Sequence, residues 1–190
     1  LASHYVLWFT SLDYTSVASS TVLVTLQPIF AVIGGYLLYK ERINVWGIVG
    51  ILVAILGSCY VGWADFQGNP AALYGDFLAL LAAALITGYF FIGQNLRQNM
   101  GVLAYSILGY FSSALILFVY GSIKHIEFTD FNRSLWLLLI AMALFSTIFG
   151  QMVINWVLKW LSTTTVSVVI LTEVIWATLL SVIVLGDIVT

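Results

Sequence analysis

Charge is absent over stretches that are each as long as a bilayer is thick. Between charged residues the chain runs uncharged over 14–39, 43–64, 77–96, 98–123 and 134–158. A helix of about 20 apolar residues crosses the hydrocarbon core, so five spans are expected, at 16–38, 45–63, 75–96, 102–122 and 134–158. A sixth, 160–186, is interrupted only by Glu173. Inside lipid the backbone must satisfy its own N–H and C=O groups, and these runs lack the period-two alternation of a barrel strand. The expected fold class is therefore all-α: a polytopic integral membrane protein, placed in the cell membrane as a multi-pass chain.

Composition closes off the other classes. Of 190 residues, 62% are hydrophobic and 7% charged, against about 25% charged in a soluble domain. Six basic and eight acidic side chains could not cover a soluble surface of this size. No basic face is available for nucleic acid. The lone Cys59 excludes a disulfide framework and a Cys-rich metal site. No P-loop spacing, HExxH pair or Ser/His/Asp constellation is present, so neither catalytic residues nor a cofactor are implied.

Sliding the sequence by 146 residues lays 12–42 on 158–188 without a gap. Leu12/Leu158, Ser16/Ser162, Val22/Val168, Ile29/Ile175 and Ala31/Ala177 are identical, while Tyr14/Trp160, Phe30/Trp176 and Glu41/Asp187 are similar. On this register residues 1–12, LASHYVLWFTSL, are the second half of a helix equivalent to 134–158. Six full helices plus one truncated helix are expected, in a chain that is part of a longer protein. Five spans separate equivalent points. An odd number inverts the second half, giving inverted repeats of the kind found in secondary transporters. Charge agrees: alternate connections carry Lys40 and Arg42, Arg97, and Lys159, whereas the others hold Asp13, Asp65, and Lys124 and Arg133 mixed with Glu127 and Asp130. The positive-inside rule puts the first set in the cytoplasm.

Several segments carry a family likeness. They are LWFTSLDYTS at 7–16, PIFAVIGGYLLYKE at 28–41, GIVGILVAILGSCYVG at 47–62, YGDFLALLAAALITGYFFIGQNLR at 74–97 and LTEVIWATLLSVIVLGD at 171–187. In order and spacing they resemble helices three to six and nine of the EamA-type transporters in the drug/metabolite transporter superfamily. That resemblance implies ten helices as two inverted five-helix repeats, with helices one, two and ten absent here. It makes 1–65 the C-terminal part of the first repeat and 73–190 most of the second. It departs from the family at Val174, where a proline often follows the intramembrane acid.

Candidate residues follow from polarity at membrane depth. Glu173 lies midway between Lys159 and Asp187, and an intramembrane acid is a functional hypothesis by default; a buried structural hydrogen bond is the other reading. The repeat aligns it with Gln27, next to Pro28, which removes a helical donor and frees the Val24 carbonyl. Gln151 and Asn155, four apart, share a helix face, as do His4 and Trp8. Either pair could line a cavity or pack between helices. Tyr89 lies inside the sixth-helix likeness. No Cys, Asp or second His stands at ligand spacing from His4, so no metal site is expected.

Gly47, Gly50, Ala54 and Gly57 form a small-residue stripe and Ala79, Ala82 and Ala83 another, both expected to serve helix packing. Asp76 is expected to cap its helix. Trp63, Trp136 and Trp160 are expected at the interfaces.

The resulting expectation is a secondary transporter of small organic metabolites or drugs, export included, working by alternating access within a lipid bilayer. The proton is the candidate coupling ion, and a monomer or a homodimer would serve. The alternatives are a flippase-like lipid-handling subunit, which needs basic residues at headgroup level, and a non-transporting membrane scaffold, which has no use for Gln27, Gln151, Asn155 and Glu173.

Overall fold

A computed structural model describes residues 1–68, 71–126, 128 and 131–173. The rest of the 160–186 span, with Val174 and Asp187, lies outside the described residues, as do the side chains of Ala54 and Trp63. The described secondary structure is helical: α1 (Ala2–Ser11), α2 (Val17–Val24), α3 (Gln27–Tyr39), α4 (Val45–Gly68), α5 (Ala72–Leu96), α6 (Val102–Ile123), α7 (Arg133–Met142), a π-helical stretch (Ala143–Gln151), α8 (Met152–Val157) and α9 (Thr163–Ile170). Among the described residues, four helical stretches are long and apolar enough to cross a membrane: Val17–Tyr39, Ala72–Leu96, Val102–Ile123 and Arg133–Val157. The expected 45–63 span falls within α4. The sixth begins as α9.

Two expected continuous helices are interrupted. The 16–38 span breaks at Thr25 and Leu26, so that Pro28 enters α3 in its first turn. Proline is tolerated there because the first N–H groups of a helix have no intrahelical partner anyway. The 134–158 span winds as a π-helix over Ala143–Gln151. Such widened turns recur at functional sites, and no proline in the segment announces this one.

The described chain divides into two compact units, one of Leu1–Ala2 with Tyr89–Ser162, the other of Ser3–Gly88 with the chain from Thr163 onward. In the second unit the small residues of α5 let α2 approach. Leu23 and Leu26 pack on Ala79, and Val24 on Ala82 and Ala83, with Leu7, Trp8 and Phe30 around them. Gly75 is closer still: a Cβ there would stand 2.9 Å from the Ser11 carbonyl oxygen and from the Thr15 nitrogen. Asp76, expected as a cap, lies inside α5 because the helix starts a turn earlier, at Ala72. Its Oδ1 instead accepts from the Thr15 hydroxyl at 2.7 Å and the Ser19 hydroxyl at 2.9 Å. α3 packs on α9, where Thr164 Oγ1 lies 2.8 Å from Glu41 Oε2 and 3.2 Å from the Ala31 carbonyl.

The α4 stripe behaves differently from expectation. A Cβ at Gly50 or Gly57 would meet nothing within 4 Å, so among the described residues those two glycines hold no neighbour close. In the first unit, α6 packs on α8, and α7 and the π-helical stretch have no buried residues. Trp136 and Trp160 are exposed, as interfacial anchors would be.

These approaches make opposite predictions for two glycines. Gly75→Ala should destabilise the full-length protein by about 1–3 kcal/mol, because backbone of the α1–α2 turn must move. Gly50→Ala should cost nothing and can gain about 0.5–1 kcal/mol of helix propensity. Thermal unfolding in detergent measures both; equal stability of the two variants would contradict the packing described.

Candidate functional site

The sequence-selected polar residues gather into two centres, one in each unit. Asn155 is the hub of the first. It is fully buried on α8, and every polar group it carries is engaged. Its Oδ1 accepts from the Tyr89 hydroxyl at 3.1 Å, with Gln151 Nε2 at 3.5 Å. Its Nδ2 donates to Ser106 Oγ at 3.0 Å and reaches the Tyr110 hydroxyl at 3.4 Å. Its main-chain carbonyl accepts from Arg97 Nε at 3.0 Å.

Two further contacts close this centre. Tyr105 stacks on Tyr89 with ring centroids 5.5 Å apart and donates its hydroxyl to the Tyr89 carbonyl at 3.1 Å. Arg97, 3% exposed, also donates through Nη1 to the Met100 carbonyl. Gly93 permits this fit, since a Cβ there would come within 2.8 Å of the Tyr105 hydroxyl.

The second centre lies where α1 and the α2–α3 break meet the middle of α5. His4, Trp8, Gln27 and Pro28 all belong to it. His4 is buried, its Nδ1–H donating to the Ala82 carbonyl at 2.9 Å and its ring 5.7 Å from that of Trp8. Thr87 donates to the Ala83 carbonyl at 2.8 Å and stands 3.5 Å from the Gln27 carbonyl. Against these satisfied groups stand two that are not: Trp8 Nε1 and Gln27 Oε1 are buried with no hydrogen-bond partner among the described residues, as is Ser167 Oγ on α9.

Magnitudes separate the centres. A satisfied internal hydrogen bond contributes about 0.5–1.5 kcal/mol net, whereas a buried group left unpaired costs about 1–3 kcal/mol. The Asn155 centre is accounted for by folding alone. The Trp8–Gln27 centre carries a standing cost that protein packing does not explain, and native structures hold few such groups.

Glu173, expected at the heart of the site, is exposed at the end of the described chain. It stands two residues beyond Leu171, where α9 has ended. Among the described residues no group of three His, Cys, Asp or Glu side chains could hold a metal ion. Sequence reasoning missed Ser106, Tyr110, Thr87, Ser167 and Arg97. Hydroxyl residues are too common in membrane helices to stand out, although Ser106 and Tyr110, four apart, already share a face of α6.

The Asn155 hub predicts a graded pair of variants. Asn155→Leu should destabilise the full-length protein by about 1–3 kcal/mol, by orphaning the buried groups bonded to it. Gln151→Leu, which removes one long contact, should cost less than about 1 kcal/mol. Unfolding in a denaturing detergent ranks them; a larger loss at Gln151 would remove Asn155 from the centre of the network.

The model of the EamA-like transporter family matches residues 1–63 and 73–190. An uncharacterized transporter of Archaeoglobus fulgidus is 25% identical over 185 residues, which is 94% of this chain and 56% of that protein. A second from the same organism is 30% identical over 146 residues, 73% of this chain and 49% of its own. An uncharacterized transporter of Bacillus subtilis is 22% identical over 172 residues, 90% of this chain and 54% of its own. The chain thus spans about half the length of these curated relatives. No solved structure matches it.

Proposed function

This chain belongs to the EamA-like transporter family, and we propose that it works as a secondary transporter, moving small organic metabolites or drugs across the cell membrane by alternating access, export included. Family and relatives point to transport rather than enzymatic chemistry.

The observation that carries the mechanism is a pair of breaks in register. α2 and α9 are both eight-residue helices, and their bounds differ by 146 at each end. Ser16 caps α2 with its hydroxyl, accepting from the Ser19 N–H, and Ser162 precedes α9 at the equivalent place. Each helix then stops; α3, which opens with Gln27, follows the first stop, and Thr172 and Glu173, the last described residues, are again helical after the second. Discontinuous helices at equivalent places in two inverted repeats are where such transporters bind substrate and coupling ion. This pairing supports reading 1–65 and 73–190 as parts of two inverted five-helix repeats.

In this reading Gln27, Pro28, His4 and Trp8 form the substrate centre of the second unit and Glu173 exchanges the proton, while Tyr89, Gln151 and Asn155 keep the first unit rigid. A scaffold would have no use for unpaired polar groups beside a helix break.

Two measurements test it. An untargeted comparison of metabolites inside and outside cells, with and without the full-length protein, should show one class of small solute redistributed; identical profiles would end the transport reading. Glu173→Gln keeps shape and hydrogen bonding but removes titration. It should leave membrane insertion intact and make movement of that solute independent of a pH gradient. Unchanged pH dependence would return Glu173 to a structural role.

A further inference from the structure

Where α3 ends and α4 begins, the chain forms a groove of about 360 Å³, within the size range of small-ligand sites. Val32 and Tyr36 of α3, Ile48 of α4 and Ile43 between them give it apolar walls, with Glu41 and Arg42 among them. The connection is fixed at both ends. Lys40 closes α3 in a left-handed conformation, φ 56°, its N–H donating to the Tyr36 carbonyl and that of Glu41 to the Gly35 carbonyl. Asn44 Oδ1 accepts from the Gly47 N–H at 2.7 Å and so caps the start of α4. This reversal lets Arg42 and Ile43 share one groove with Tyr36.

Charge in the groove is unbalanced. Arg42 makes no hydrogen bond or ion pair among the described residues. The Lys40 ammonium lies 5.4 Å from the centroid of the Tyr36 ring, against the same wall. Glu41 is otherwise engaged: the Thr164 hydroxyl donates to its Oε2 at 2.8 Å, where a Cβ on Gly35 would stand 2.9 Å away. Lys40 and Arg42 against Glu41 leave one positive charge over.

Depth narrows the ligand further. Val17–Tyr39 is long and apolar enough to cross a membrane, so residues 40–44 lie at a membrane surface. The exposed Tyr39 and Trp46 flank them, as aromatic residues do at headgroup level. A free phosphate would leave the aliphatic walls unused, and a lipid without net charge would leave the cation unbalanced.

We infer that the groove between α3 and α4 holds one anionic phospholipid as a bound ligand. Its phosphate meets Arg42 and Lys40, and the first part of an acyl chain lies against Val32, Ile43 and Ile48. The planar arginine fork suits a phosphate because it donates two parallel bonds, and basic pockets between membrane helices take lipid headgroups in this way. The site shares no residue with the Trp8–Gln27 centre, so it stands whatever the protein transports.

The test is native mass spectrometry of the purified, delipidated full-length protein, titrated with phosphatidylglycerol and phosphatidylethanolamine of identical acyl chains. Phosphatidylglycerol should bind at least about fivefold more tightly, the worth of one cation near a membrane surface. Arg42→Gln should weaken phosphatidylglycerol by about fivefold and leave phosphatidylethanolamine unchanged. Ile48→Trp fills the groove without touching its charge and should weaken both lipids. Lys159→Gln removes a cation from a different connection and should change neither. Glycerol 3-phosphate, which has the phosphate without the chains, should fail to displace the lipid. Equal affinity for the two lipids, equal losses in Arg42→Gln and Lys159→Gln, full affinity in Ile48→Trp, or displacement by glycerol 3-phosphate would each overturn the inference. Should Arg42→Gln fail to fold, the lipid preference and Ile48→Trp still decide the matter.

Discussion

Pro28 removes one N–H from the middle of a membrane-spanning stretch, where no water can take its place. The carbonyl that would have bonded to it belongs to Val24, the last residue of α2. The chain compensates by tightening its turns on either side. The Leu26 N–H reaches back three residues to Leu23 O at 3.2 Å, and the Ile29 N–H to Leu26 O at 3.1 Å. The Thr25 hydroxyl donates to the Val22 carbonyl at 2.8 Å. Residues 23–28 are all buried, so the repair happens inside the protein. Most of what surrounds the break on α5 is apolar and close or polar and matched: Ala79, Ala82 and Ala83, and the Thr87 hydroxyl.

Close approach and polar matching depend on one another here. Lipid is as apolar as leucine, so helices gain little by exchanging lipid for each other's side chains; packing and hydrogen bonds have to hold them. Gly75 brings α5 so near the α1–α2 turn that the adjacent carboxylate, Asp76, meets two hydroxyls from Thr15 and Ser19. A larger residue at position 75 would separate the groups that make the buried acid tolerable. Gly93 plays the same part for Tyr105 and Leu158. In each case the glycine matters for the space it leaves, and the polar contact beside it is what that space permits.

Most of the architecture was legible from charge alone, because a charged side chain cannot sit in hydrocarbon and so marks where spans end. The helix limits at Tyr39, Leu96 and Ile123 each fall within a residue of the expected ends. Interruptions were harder to read. Pro28 announced a disturbance, yet the break lies before it, since proline suits the start of a helix better than its interior. The π-helical stretch over Ala143–Gln151 had no sequence mark. Polar amides were legible as outliers, and Gln27 and Asn155 proved to be buried. What their spacing could not tell is which of them is satisfied. That depends on Ser106, Tyr110 and Tyr89 arriving from other helices, and no local pattern encodes such an arrival. Asp76 was misread for the same reason, its partners lying more than fifty residues away.

The contrast between a satisfied and an unsatisfied centre has a kinetic side under the proposed reading. A carrier must pass through a state closed to both sides, and closing an apolar pocket around unpaired donors and acceptors costs about 1–3 kcal/mol for each one left unmatched. Empty closure is then penalised at Trp8 and Gln27. Under that reading, a solute that satisfies an unpaired group removes its penalty and lowers the path through the closed state, which is how differential affinity shifts a conformational equilibrium. A centre such as that of Asn155, satisfied with or without solute, supplies no such difference and serves the rigidity of its own unit. On the proposed reading, coupling of movement to binding therefore belongs to the centre whose polar atoms the fold leaves open.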